Sequence, residues 1–179
     1  GATALAASSG MRHGVYASVP ILSGLIFGTT SLACASGLGI GNLVLAWPSM
    51  RLLLAAAGTA YFLWLAAMIA RSGRPNLKSD QDRLGFFAGV LLLWLNPKAW
   101  TMTMGAAASF GGLAPDPVRL ALLLGGVFLV FSTAALNAWC LGGAFVAKKL
   151  KSDRQWRALN LTLAALLVLS IIPIWVDYV

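Results

Sequence analysis

The chain alternates between long apolar runs and short polar stretches, a pattern typical of proteins that cross a membrane several times. Runs of about 18 or more apolar residues predict transmembrane helices. Five runs are that long: residues 17–46, 52–70, 84–106, 118–147 and 158–176. A sixth apolar stretch, residues 1–9, is too short to span and has the character of the tail of a helix. The pattern predicts an all-α polytopic membrane protein with six transmembrane helices, the first one partial.

The stretches between these runs predict the topology. Turns or loops are expected at residues 10–16, 47–51, 71–83, 107–117 and 148–157. Counted over alternate loops, one side of the membrane carries ten Lys and Arg residues and the other carries two. Loops rich in Lys and Arg stay in the cytoplasm. Loops 71–83 and 148–157 are therefore predicted to be cytoplasmic and the C-terminus to lie outside.

Composition supports the membrane class and excludes several others. Only 10% of residues are charged and 59% are hydrophobic, whereas a soluble domain has about 25% charged residues. The net charge of +8 would suggest nucleic acid in a soluble protein, but here the basic residues cluster in short loops. With two cysteines and one histidine the chain has no metal-ligand spacing. The sequence predicts a lipid bilayer as environment, no nucleic-acid partner, no metal and no cofactor.

The sequence Asn96-Pro97-Lys98-Ala99 interrupts the apolar run 84–106. A proline removes a backbone donor and clashes with the preceding turn, so the helix must kink or break there. A lysine at bilayer depth costs about 3 kcal/mol or more unless it faces protein, water or a ligand. Broken helices with polar groups form the midplane sites of transporters. Asn96, Pro97 and Lys98 are therefore predicted to bind substrate, the alternative being a packing kink with a snorkelling lysine.

The predicted topology gives the two halves opposite orientations, as in an inverted repeat. The boundary falls between residues 1–83 and 84–179, which together form one transmembrane domain. In such a repeat the start of the chain lies opposite Asn96–Ala99, so Thr3 is a second candidate for the substrate site. Asn137, in the fifth run, is a third candidate, although an intramembrane Asn usually bonds a neighbouring helix.

Small residues and cysteines have structural explanations. Gly24 and Gly28 form a GxxxG pattern, and Gly125, Gly126, Gly142 and Gly143 are also expected to allow close helix packing. The GxxxG face allows a homodimer without requiring one. Cys34 and Cys140 are expected to be buried as small apolar residues.

Three ordered blocks of the chain resemble the LysE/RhtB translocator family. The first is Phe87-Ala88-Gly89 followed by Asn96-Pro97-Lys98-Ala99, similar to the family's stretch that ends in N-P-K-A. The second is GTAYFLWLA, residues 58–66, similar to the family's G-A-x-Y-L-x-W-L-A. The third is the opening stretch up to Arg12-His13-Gly14, which resembles the segment after the family's P-G-P motif. The P-G-P motif itself is absent, so the sequence is expected to be truncated at its N-terminus.

The resemblance implies a transporter rather than an enzyme. It implies export of amino acids or similar small metabolites across the bacterial inner membrane, driven by the proton gradient through alternating access. The alternative is a transmembrane thiol-disulfide oxidoreductase of the DsbD/CcdA kind, which needs two cysteines beside broken helices. The substrate, the coupling ion and the oligomeric state do not follow from the sequence.

Overall fold

The computed structural model describes residues 1–41, 46–72, 84–150 and 152–176, and these ranges are helical without strands. In chain order the helices are α1 (Ala2–Ala17), α2 (Val19–Gly37), α3 (Pro48–Arg71), α4 (Phe86–Trp94), α5 (Pro97–Phe110), α6 (Pro117–Ala147), α7 (Asp153–Leu169) and α8 (Ile172–Val176). A 3-10 turn, Gly111–Leu113, follows α5. The predicted all-α class is confirmed.

Four helical stretches are long and apolar enough to cross a membrane: α2, α3, α6 and the stretch Asp153–Trp175 formed by α7 and α8. The run 84–106 is divided by Pro97, so α4 has 9 residues and α5 has 14. α1 has 16 residues. These segments are each shorter than a full span, and the count of six spans stays a prediction.

Four predicted loop boundaries differ from the structure. α5 continues into the predicted turn 107–117 as far as Phe110. α1 continues through residues 10–16 to Ala17, with a kink at Gly14, whose φ of 78° lies in the left-handed region that glycine adopts without cost. α3 begins at Pro48, where the missing N–H of proline is harmless in the first turn. α7 begins inside the predicted loop 148–157, because Ser152 and Gln155 form a capping box. Most of the predicted loop 71–83 lies outside the described residues.

The most extensive helix contacts join the first three helices to the later ones. α1 packs mainly on α6, α2 packs on both α6 and α4, and α3 packs mainly on α7. Contacts between α1 and α2 are much sparser. The first and second parts of the chain are therefore interleaved rather than side by side.

The α1–α6 crossing is a backbone-to-backbone contact. A Cβ added to Gly10 would collide with the carbonyl of Cys140, and a Cβ added to Gly143 would collide with the carbonyl of Ala7. Small residues allow membrane helices to approach this closely. Each contact thus requires a glycine, because no side chain fits between the two backbones.

The α2–α4 crossing follows the same rule. A Cβ on Gly24 would collide with the carbonyl of Phe86, and one on Gly89 would lie 2.7 Å from the carbonyl oxygen of Ile21.

The expectation that the remaining glycines of α6 also allow close helix packing is correct only in part. Gly125 lies against the Cys34 thiol, but Gly126 and Gly142 have nothing within 4 Å of an added Cβ.

The last helices are tied to α3 by hydrogen bonds. The Asn160 side chain, only 1% exposed, donates to the carbonyl of Ser72 at 2.6 Å. The indole N–H of Trp175 donates to the Thr59 hydroxyl at 2.9 Å. Polar side chains within the bundle thus fasten both ends of the α7–α8 segment to α3.

Candidate functional site at the α4–α5 break

The break between α4 and α5 redirects the backbone hydrogen bonds around proline. Pro97 has no N–H, and the Leu93 carbonyl accepts from the Asn96 N–H at 3.2 Å instead. Asn96 is extended, with φ −99° and ψ 106°, and its Oδ1 accepts from the Lys98 N–H at 3.1 Å. Asn96 is therefore the N-cap of α5 and Pro97 its first residue, the arrangement that each residue type favours.

Two tryptophans brace the break. The Trp100 indole N–H donates to the Trp94 carbonyl at 2.9 Å, which satisfies a carbonyl left open at the end of α4. The two rings meet edge to face, with centroids 5.4 Å apart. Trp94 in turn donates to the Ser31 hydroxyl on α2 at 3.1 Å. The sequence interpretation missed this pair, and its signal was two tryptophans flanking an Asn-Pro dipeptide inside an apolar run.

Helix α3 lies directly against the break. A Cβ on Gly58 would collide with the Leu95 carbonyl, so the backbones touch there. The Tyr61 hydroxyl donates to the Ala88 carbonyl at 2.8 Å, and its ring stacks on Trp64 at 5.6 Å. The G-x-x-Y spacing thus places a glycine and a phenol on the face of α3 that meets α4 and the break.

The start of α1 reaches the same region. A Cβ on Gly1 would lie 3.0 Å from the Phe62 ring and 3.9 Å from Leu92. Because a helix N-terminus carries a partial positive charge, the start of α5 and the Lys98 side chain combine into one electropositive region.

Four of the five predicted site residues lie in or beside this region. Asn96 and Pro97 are partly buried, and Lys98 is exposed. Thr3 is exposed in the first turn of α1, two residues from Gly1. Asn137 is different: its amide donates to the Thr133 carbonyl on its own helix at 2.8 Å, and no contact described here joins it to the break.

No carboxylate of the described residues lies at the break. The acidic residues in the described ranges are Asp116, which caps α6, and Asp153, in the first turn of α7. The region can therefore attract a carboxylate, but within the described ranges it offers no counter-charge for a ligand with an extra cation.

The two cysteines lie on different helices, Cys34 on α2 and Cys140 on α6, and at distant levels of the bundle. Cys34 and Cys140 are both free thiols. Cys34 lies against Gly125, which precedes Cys140 by 15 residues, or about 22 Å of helix. A disulfide needs Cβ atoms within about 4.5 Å. The redox pair required by the oxidoreductase alternative is thus not formed by these residues.

Comparison with known proteins identifies the family of the chain. The family model described as LysE type translocator matches residues 2–170. Cysteine/O-acetylserine efflux proteins of Salmonella paratyphi A, Salmonella typhi and Escherichia coli K12 are each 30% identical over 176 residues, covering 96% of this chain and 87% of the relative. No solved structure matches the chain. The resemblance based on three sequence blocks is confirmed, and the chain belongs to the LysE type translocator family.

Proposed function

We propose that this protein exports small neutral amino acids across the bacterial inner membrane. Family membership supports transport, and the relatives named for cysteine and O-acetylserine efflux suggest substrates of this size and charge. The observation that carries the proposal is the α4–α5 break, where the Lys98 side chain lies in the first turn of α5.

The chemistry of the break offers partners for both charged ends of an amino acid. The substrate carboxylate pairs with Lys98 and with the partial positive charge at the start of α5, as in other broken-helix transporters. The substrate ammonium pairs with carbonyl groups at the end of α4, near Leu95. A substrate with a second positive charge, such as lysine, lacks a carboxylate partner among the described residues and is transported poorly.

The proposal includes six spans in two inverted halves, residues 1–83 and 84–179. The reciprocal packing of early helices on late ones supports this symmetry. Alternating access then takes place around the break, with protons as the coupling ion. Because the glycine crossings lock α1 to α6 and α2 to α4, we place the motion at the α4–α5 hinge and in the α3–α7 pair rather than between two rigid halves.

The test is intracellular accumulation in cells that express the full-length gene, compared with an empty vector. Cells are loaded with dipeptides that release alanine, serine, cysteine or lysine. We expect lower internal levels of one or more neutral amino acids and unchanged lysine. The Lys98→Ala variant should abolish this effect at equal membrane abundance, while the matched control Lys149→Ala, a loop lysine, keeps it.

Three outcomes would contradict separate parts of the proposal. If the wild-type gene lowers no amino acid, export of amino acids is wrong. If wild type and Lys98→Ala export equally, the protein is an exporter but the site is not at the break. Selective export of lysine would reject the neutral substrate class.

A further inference from the structure

A cavity of about 480 Å³ lies where the ends of α1 and α6 meet the start of α7. Arg12, His13, Ala147, Lys148 and Trp156 are among the residues that line it. Three segments that the charge count assigns to the cytoplasmic side therefore come together around one opening. The substrate site proposed above is elsewhere, because α1 extends from Gly1 at the break to this cavity at its other end.

Trp156 supplies a buried hydrogen-bond donor at the cavity. The side chain is 5% exposed, and its indole nitrogen has no acceptor among the residues the structure describes. A buried donor without an acceptor is unfavourable by about 1–3 kcal/mol. The indole nitrogen has no accessible surface on the cavity, so an anionic oxygen there would satisfy it only once the ring turns toward the cavity.

Lys148 marks the rim of the cavity toward the lipid. Its ammonium lies 5.4 Å from the centroid of the Phe145 ring, and Phe145 is 68% exposed on the outer face of α6. Lys148 therefore stands between the cavity and a surface suited to acyl chains. A ligand that contacts both would have an anionic head and an apolar tail.

The remaining lining agrees with such a ligand. Arg12, 8% exposed, and His13 add positive potential; both have further interactions, so direct contacts are assigned to Lys148 and Trp156. Met11, Ala144 and Leu150 provide apolar walls. The cavity is also larger than one phosphate group requires.

We propose that this cavity binds the headgroup phosphate of an acidic phospholipid. Basic pockets between transmembrane helices near the cytoplasmic surface recognise such headgroups. Lys148 pairs with the phosphate, and the Trp156 ring turns so that its indole N–H donates to one of the phosphate oxygens. The acyl chains lie along α6 beside Phe145. The proposal does not depend on which substrate the protein exports.

The experiment is native mass spectrometry of the purified full chain in neutral detergent. Phosphatidylglycerol is titrated against phosphatidylcholine with the same acyl chains. We expect phosphatidylglycerol to bind more tightly, and Lys148→Gln to weaken it roughly fivefold. Trp156→Phe, which keeps the ring and removes the N–H, should weaken it by a similar factor. Lys149→Gln is the matched control, because Lys149 is exposed and adjacent but does not line the cavity.

The Lys148 and Lys149 variants decide the outcome even if Trp156→Phe does not fold. Equal affinities for phosphatidylglycerol in Lys148→Gln and Lys149→Gln would overturn the proposal, as would equal wild-type affinities for the two lipids. Inorganic phosphate is the competitor that separates the two sources of phosphate. If millimolar phosphate displaces the lipid completely, the cavity is a site for a soluble oxyanion and the lipid assignment is wrong.

Discussion

The α1–α6 crossing and the α4–α5 break both bring backbone close to backbone, but they treat backbone polar groups in opposite ways. At the crossing, Gly10 and Gly143 remain inside regular helices, and close approach serves only packing. At the break, backbone groups leave the helical pattern and are held by side chains such as Asn96 and Trp100. The crossing thus serves the packing of the fold, whereas the break leaves polar groups outside the regular helical pattern, where the proposed substrate would bind.

The largest expected effect comes from a comparison of two glycines of α6, one packed against α1 and the other exposed. Gly143→Leu would force a side chain into the Ala7 carbonyl, whereas Gly142→Leu, one residue earlier, would face open space. We expect Gly143→Leu to abolish folded protein and Gly142→Leu to leave it close to wild type, since overpacking costs 1–3 kcal/mol or more. Size-exclusion chromatography of a fluorescent fusion in detergent measures both. Similar profiles for the two variants would mean that the crossing does not limit stability.

The second prediction concerns a close backbone contact at the break itself, between α3 and Leu95. Gly58→Ala places a methyl group against the Leu95 carbonyl. We expect a loss of stability of about 1–3 kcal/mol and a loss of export that exceeds it, because the displaced carbonyl belongs to the proposed site. Melting temperature in detergent and export from loaded cells are the two readouts. Export that falls only in proportion to the amount of folded protein would show that Gly58 acts through packing alone.

A third change removes the hydrogen bond that joins the Trp100 indole to the Trp94 carbonyl. Trp100→Phe keeps an aromatic ring next to Trp94 but deletes the N–H that bonds the Trp94 carbonyl at 2.9 Å. Removing one hydrogen-bond partner costs about 1–3 kcal/mol at a buried site, and Trp100 is 2% exposed. The melting temperature should fall by several degrees. Trp139→Phe is the control, because that tryptophan is 54% exposed, and an equal fall there would remove the special role of Trp100.

The smallest effect tests a hydroxyl contact beyond the break. Ser36 and Thr103 are buried and their hydroxyl oxygens lie 2.8 Å apart, joining α2 to α5. Interhelical hydrogen bonds of this kind average about 0.6 kcal/mol in membrane proteins. A double-mutant cycle with Ser36→Ala and Thr103→Val should give a coupling of about that size. A coupling indistinguishable from zero would mean that Thr103 relies on its bonds to the Ala99 and Trp100 carbonyls.

The sequence predicted the features that depend on local chemistry. Apolar run length predicted the helical class, and Asn96-Pro97 predicted the break, because a missing N–H and an N-cap side chain act within four residues. The turn at residues 10–16 was wrong, since one glycine at positive φ bends a helix without ending it.

Features that depend on helix pairing could not be predicted. Gly142 and Gly143 are adjacent and identical, yet only the second meets another helix. The hydrogen bond from the Trp100 indole to the Trp94 carbonyl could not be predicted either, because the sequence does not show that this side chain turns back across the break. Thr3 was placed beside the break by an assumed symmetry, whereas Asn137, chosen for its polarity alone, bonds its own helix.

The pairing of α3 with α7 has a consequence for how the protein is made. Their contact, secured by the Asn160 side chain on the Ser72 carbonyl, joins segments 88 positions apart in the sequence. During synthesis α3 leaves the ribosome long before its principal partner exists. It must remain in the bilayer among lipids until α7 has also been inserted, so the α3 part of the bundle assembles only after α4, α5 and α6 are already in place.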